Sequence, residues 1–250
     1  MHAADGAVVS PAMRLLLISN STGPDGVFLG HCETEIADFV PPGSRTLFVP
    51  FAGIDEQGYG EKAAGRLREI GYRAEWADRD GDPAAALDEA DAVFVGGGNT
   101  FLLLDRLIRT GMLEAIRDRV RDGMHYLGAS AGSNVAGPTI RTTNDMPIVE
   151  PPTFSSLGLV PFQINPHYVD RDPDSSHQGE TREQRLQEYL AVNDAPVVAL
   201  REGAVLRVEG SGLHLRGTGG ARLYRPGFEV EEFAAGRRLD GLPGLPPVAG

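Results

Sequence analysis

The 250-residue sequence predicts an α/β fold, a doubly wound and mostly parallel sheet flanked by helices, with antiparallel strands near its C-terminus. From Arg14 onward short β-type runs alternate with helical patterns, as a parallel sheet with crossover helices does. The early β-type runs are continuously apolar, which suits strands buried on both faces. In the C-terminal part the pattern turns to short runs parted by Gly and Pro, the mark of antiparallel strands at a sheet edge.

Taken in order, RLLLISN (14–20) and RTLFVPFA (45–52) are the first strands. Between 57 and 70, Tyr59, Ala63, Leu67 and Ile70 recur at the spacing of one helical face. YRAEW (72–76) is a strand, PAAALDEA (83–90) a short helix, and AVFVGGG (92–98) a strand running into glycine. FLLLDRLIRT (101–110) and MLEAIRDRV (112–120) are amphipathic helices separated by Gly111. HYLGASAG (125–132) is another buried strand that ends in a tight turn. Residues 137–180 are rich in Pro, Thr, Asn and Asp and lack periodicity; so long a loop inside a compact domain is uncommon and is usually functional. TREQRLQEYLAV (181–192) places Leu186, Tyr189 and Leu190 on one helical face, and VVALRE, AVLRVEG, LHLRG and ARLYR follow as short strands. Residues 1–12 are expected to form a flexible leader, 13–234 a single α/β domain and 235–250 a flexible tail.

Composition narrows the function. With 41% hydrophobic and 23% charged residues the chain is ordinary globular material. A net charge of -12 argues against nucleic acid or an anionic membrane as partner, since both repel a diffuse acidic field. Cys32 is the only cysteine, so neither an internal disulfide nor a cysteine-held zinc can form, and a reducing cytoplasm is the expected location. The apolar run near the N-terminus spans only 15–18, short of the roughly 7–15 residues of a signal-peptide core.

The segment Gly128-Ala129-Ser130-Ala131-Gly132 fits G-x-S-x-G between a strand and a helix. A serine on so sharp a turn needs tiny neighbours, and the backbone N–H groups that follow point to where an oxyanion would form. A base is then required. Of six histidines, His167 stands where the short run QINPHY (163–168) ends, and α/β sheets bind ligands beyond the carboxyl ends of their strands. His177 sits among Asp174, Ser175 and Ser176, a solvated setting. For the acid that orients the imidazole, Asp145 and Glu202 are both candidates, because triads are recognised by geometry and not by chain order. The second glycine-rich element, 95–100 (VGGGNT), is open to two readings. It lacks the spacing of a dinucleotide loop and the Lys-Ser/Thr ending of a phosphate loop, and it could instead supply a second oxyanion donor.

Together GGGNTF (96–101), GASAGSN (128–134), TTNDMPI (142–148), QINPHY (163–168) and GETREQR (179–185) resemble the peptidase E family of cytoplasmic aspartyl dipeptidases, across roughly 14–210. The resemblance implies a fold similar to class I glutamine amidotransferase domains and hydrolysis of dipeptides whose first residue is Asp. It implies Ser130 as nucleophile, His167 as base, and the N–H groups of Gly98 and Ala131 as oxyanion donors. For the third member both Asp145 and Glu202 match positions proposed in the family. The Cys-His-Glu order of the amidotransferases favours Glu202, with Asp145 then at the substrate's α-amino group. No metal or organic cofactor is implied, and the partner is a small-molecule substrate handled by a monomer or homodimer. A guanidinium fork suits the substrate's carboxylate; Arg182, at a helix start, is the first candidate, then Arg171 and Arg141, with Asn99 also in the substrate site. A cyanophycinase-like exopeptidase and a non-catalytic ligand-binding domain are the alternatives.

Overall fold

A computed structural model describes residues 12–172, 174 and 179–248. The first half of the chain forms β1 (Arg14–Ile18), α1 (Glu33–Phe39), β2 (Arg45–Val49), α2 (Glu56–Glu69), β3 (Arg73–Trp76), α3 (Pro83–Asp88) and β4 (Ala92–Val95). It continues through α4 (Thr100–Arg109), α5 (Met112–Arg121), β5 (His125–Ala129), α6 (Ala131–Asn134), β6 (Gln163–Tyr168) and α7 (Arg182–Ala191). Five strands close the chain: β7 (Val197–Arg201), β8 (Ala204–Glu209), β9 (Gly212–Gly217), β10 (Ala221–Tyr224) and β11 (Glu231–Phe233).

The main sheet has the order β3-β2-β4-β5-β1-β8-β9. Its first five strands are parallel; β8 adds antiparallel to β1, and β9 antiparallel to β8. Alternating side chains sort the core into two layers, as a period of two requires. Leu15 and Leu17 pack with Leu103, Leu107 and Ile116 of α4 and α5, whereas Leu16 and Ile18 pack with Ile36 of α1 and Leu67 of α2. Helices therefore cover both faces, and the sheet is doubly wound.

Helix starts follow the local chemistry. Asp55, Asp82 and Asn99 cap α2, α3 and α4 by accepting a backbone N–H, and Thr181 caps α7 in a reciprocal box with Gln184. Among the described residues no helix is long and apolar enough to cross a membrane.

Two differences from the sequence reading bear on function. The C-terminal strands do not all extend one sheet edge: β7, β10 and β11 join β6 in a second sheet, ordered β11-β10-β7-β6, with β6 and β7 parallel. Only Glu202 and Gly203 separate β7 of the second sheet from β8 of the first. The expected flexible tail is also packed over its described part. Leu215 donates to the Arg237 carbonyl at 2.8 Å and Leu239 to the Leu213 carbonyl at 2.8 Å, so 236–239 cover the outer edge of β9. Leu239, Leu245 and Val248 fill the main core. Their Gly and Pro neighbours abolish any periodicity without preventing burial. Of the expected leader, 1–11 lie outside the described residues.

Leu239→Ala should lower stability by about 2–5 kcal/mol, the cost of emptying a buried leucine site. Urea unfolding measures this, and an unchanged midpoint would show that the C-terminal segment does not close the core.

Candidate active site

Ser130 follows the carboxyl end of β5 and opens α6 with φ 53°, ψ -111°, a conformation rare for a residue with a side chain. It is held there from several sides. Its N–H donates to the Ile18 carbonyl at 3.0 Å, and the Ser133 hydroxyl reaches the Ile18 and Gly128 carbonyls at 2.7 and 2.8 Å. A side chain at Gly132 would overlap the Val95 carbonyl, so the residue after Ala131 has no room to be anything else. The small residues of the motif thus let α6 dock on β4 and β5.

His167 comes from the other sheet. Its Nε2 lies 2.9 Å from Ser130 Oγ and its Nδ1 3.0 Å from Glu202 Oε1. With the proton on Nδ1 donated to Glu202, Nε2 accepts from the serine hydroxyl, the arrangement a general base needs. Glu202, not Asp145, is the acid brought to the imidazole. Its side chain is 64% exposed and that of His167 39%, so this pair orients the ring without adding much stability. His167 has φ 52°, a second left-handed residue at the reacting centre.

The backbone carrying both groups is fixed by the end of β1. The buried Ser19 hydroxyl donates to the Leu200 carbonyl at 3.0 Å and accepts the His167 N–H at 3.0 Å. The Asn20 amide oxygen accepts the Gly203 N–H at 2.7 Å, beside Glu202. The strand β6 is fastened from its other side. Asn134 Nδ2 and the Thr142 hydroxyl both donate to the Ile164 carbonyl, at 2.7 and 2.9 Å, and Asn144 Nδ2 donates to the Pro166 carbonyl at 2.8 Å. The polar segment 142–144 is a clamp on the histidine strand.

Beyond β4, the Gly96 N–H goes to the Val49 carbonyl at 3.0 Å, the Gly97 N–H to the Tyr59 hydroxyl at 3.0 Å and the Asn99 N–H to the Ala52 carbonyl at 2.9 Å. Gly98 alone in this loop keeps an N–H without an acceptor among the described residues. Its φ is 135°, and a side chain there would overlap the Ala52 carbonyl. The Ala131 N–H, at the start of α6, is likewise free among the described residues. Gly97 packs against the serine, its missing Cβ position being 3.0 Å from Ser130 Cβ. Gly98 lines the same cleft as Ser130, and Ala131 is the next residue after the serine; unused backbone donors are what an oxyanion requires.

Asp145 sits at the start of α4. Its Oδ2 accepts the Thr100 N–H at 2.8 Å, the Thr100 hydroxyl at 2.6 Å and the Thr143 hydroxyl at 3.1 Å. A carboxylate suits a helix N-terminus, and Oδ1 has no partner among the described residues. Asn99 caps the same helix and donates Nδ2 to the Met146 carbonyl at 2.8 Å, tying the 142–148 segment to the glycine loop. Arg182 is the first residue of α7, half-buried, its pKa lowered by burial and partly restored by the Asp145 charge. It pairs with no carboxylate within 4 Å among the described residues, at a helix end that disfavours cations. Arg171 is exposed, while Arg141 reaches toward Asn193 and stacks over Phe154. His177 lies outside the described residues.

A cleft of about 420 Å³ opens over Ser130, His167 and Gly98, within the size range of small-ligand sites. Its outer wall brings in residues that the sequence reading did not single out for the site: Ser21, Phe28 and, from α2, Tyr59 and Lys62. Tyr59 and Lys62 are three apart and so share a helix face, a signal that core periodicity masks. Cys32 is buried, which pushes its thiol up to about 12; a reactive cysteine needs the opposite shift. Among the described residues no group of three or more His, Cys, Asp and Glu side chains is placed to hold a metal ion.

Comparison with known proteins adds four findings. The model of peptidase family S51 matches residues 15–216. Peptidase E of Streptomyces coelicolor is 54% identical over 230 residues, spanning 92% of this chain and 95% of its own length. The "Probable alpha-aspartyl dipeptidase" of Drosophila melanogaster is 42% identical over 229 residues, with 90% and 95% covered. The crystal structure of a peptidase from an acI-B1 actinobacterium superposes with a TM-score of 0.67 over 92% of this chain and 98% of its own, at 16% identity, a likeness of fold.

Ser19→Ala would leave the Leu200 carbonyl and the His167 N–H unpaired, each worth about 1–3 kcal/mol when buried. Urea unfolding should register the loss, and labelling of Ser130 by a fluorophosphonate should slow at least about tenfold. Labelling at the wild-type rate would show that His167 is held without Ser19.

Proposed function

The chain belongs to peptidase family S51 and is a serine-type dipeptidase, and we propose that it hydrolyses dipeptides whose first residue is aspartate through an acyl-enzyme on Ser130. The observation that carries this is the continuous relay from Glu202 through His167 to Ser130, 3.0 and 2.9 Å long, with two nearby backbone donors unused among the described residues. His167 takes the hydroxyl proton as Ser130 Oγ attacks the scissile carbonyl. Glu202 holds the ring in the productive tautomer and stabilises the imidazolium. The N–H groups of Gly98 and Ala131 receive the oxyanion; one such donor is typically worth about 3 kcal/mol of barrier. His167 then gives its proton to the leaving amine, and a water activated by the same imidazole releases the acyl group.

Selection of aspartate is assigned to the start of α7. The Arg182 guanidinium, unpaired among the described residues, offers a fork for the side-chain carboxylate, and Oδ1 of Asp145, which has no partner among the described residues, suits the α-ammonium group. The name of the Drosophila relative supports an aspartyl substrate. The buried, unreactive Cys32 fits a reducing cytoplasm.

Ser130→Ala should abolish release of leucine from Asp-Leu, with the fold retained by circular dichroism; persisting turnover would remove Ser130 as nucleophile. Arg182→Met should lower kcat/KM on Asp-Leu by about 100-fold or more, in line with losing one partner of a desolvated charge pair. Across Asp-Leu, Glu-Leu, Asn-Leu and Leu-Asp, only the first should be cleaved well. Equal rates on Asn-Leu would overturn recognition of the carboxylate.

A further inference from the structure

We propose that Lys62 is the binding residue for the free α-carboxylate of the leaving amino acid, and that this contact restricts the enzyme to dipeptides. The inference rests on the acyl-transfer reading of Ser130 and His167. The glycine loop that carries Gly98 has a different helix on each side. On one side α4 begins at Thr100, with Asp145 held against it and Arg182 nearby. On the other, α2 reaches the loop through the Tyr59 hydroxyl on the Gly97 N–H and presents Lys62. A scissile carbonyl seated between Ser130 and Gly98 must send its acyl and leaving portions to opposite sides. Because Arg182 and Asp145 occupy the first side, the leaving residue falls on the second.

Proton delivery requires the same placement. His167 protonates the leaving nitrogen, so that nitrogen lies against the imidazole, and the cleft wall containing His167 also contains Lys62. In a dipeptide the carboxylate stands two bonds from that nitrogen. In a longer peptide the same position holds a neutral amide, which a compact cation attracts far less.

Lys62 is uncommitted where its neighbours are not. One turn further on, Arg66 donates to the Phe28 carbonyl at 3.1 Å and pairs with Glu33 and Glu69. Lys62 pairs with no carboxylate among the described residues, and its Nζ lies over the Phe28 ring, 5.4 Å from the centroid. Phe28 is itself set edge-on to Tyr59 at 6.1 Å. The aromatic ring steadies the ammonium at the cleft wall without neutralising it. Lys62 is the only lysine of the chain, and among the described residues no other permanently charged side chain lines this cleft.

The test compares Asp-Leu with Asp-leucinamide, identical except for the carboxylate, in wild type, Lys62→Met and Lys62→Arg, with Ser130→Ala as control. Wild type should prefer Asp-Leu by about tenfold or more in kcat/KM, the difference lying in KM. In Lys62→Met the ratio should fall to about one, and Lys62→Arg should restore most of it. A wild type indifferent to the carboxylate, or a preference undiminished in Lys62→Met, overturns the role of Lys62 while leaving Ser130-dependent hydrolysis intact. Hydrolysis that persists in Ser130→Ala overturns the acyl-transfer reading and this inference with it.

Discussion

The hydroxyl of Ser19 is the interaction on which the rest of the site depends. It stands at the carboxyl end of β1 and bonds the Leu200 carbonyl and the His167 N–H together, both from the second sheet. Ser130 belongs to the first sheet and His167 to the second, so a proton can pass between them only if the two sheets keep a fixed offset. Asn20 extends the same seam to Gly203, next to Glu202. Hydrogen bonds are short-ranged and directional, which makes one buried serine a more exacting spacer than apolar packing between sheets would be.

That seam also offsets backbone strain. Ser130 and His167 are two of the three non-glycine residues with positive φ among the described residues, and such conformations cost on the order of 1–3 kcal/mol each. The cost is met by surroundings that over-determine the geometry. Ile18 holds the Ser130 N–H, Ser19 the His167 N–H, and the 142–144 segment clamps the strand leading to the histidine. Ser130 therefore projects from a tight strand-to-helix turn, and His167 from the irregular end of β6, where the register shifts between Asn165 and Tyr168.

What was legible in the sequence follows from which forces leave a local pattern. The parallel strands and the helices over their faces appear as uninterrupted apolar runs and spaced apolar residues, because burial on two faces acts on consecutive positions. The short α1, at Glu33–Phe39, left too few turns to show a period. The division of the last strands between two sheets left no trace either, since alternation reports which face is buried and not which strand is the neighbour. Ser130 and His167 were legible by their places at strand ends. The choice between Glu202 and Asp145 was not, because it turns on how Glu202–Gly203 bridges two sheets. Ser19 reads as the tail of a strand and Tyr59 as one more core-facing helical residue; their roles lie in contacts 148 and 38 positions away along the chain.

The bond between the Tyr59 hydroxyl and the Gly97 N–H has a kinetic meaning. Three successive glycines form the softest backbone a chain can offer, and a peptide unit there could rotate to show either its N–H or its carbonyl to the cleft. Tyr59 anchors the unit before Gly98, and the Asn99 to Ala52 bond anchors the one after it. Between two anchored neighbours the Gly98 N–H keeps a single heading, so the proposed acyl transfer would need no peptide flip and no reorganisation as the negative charge develops.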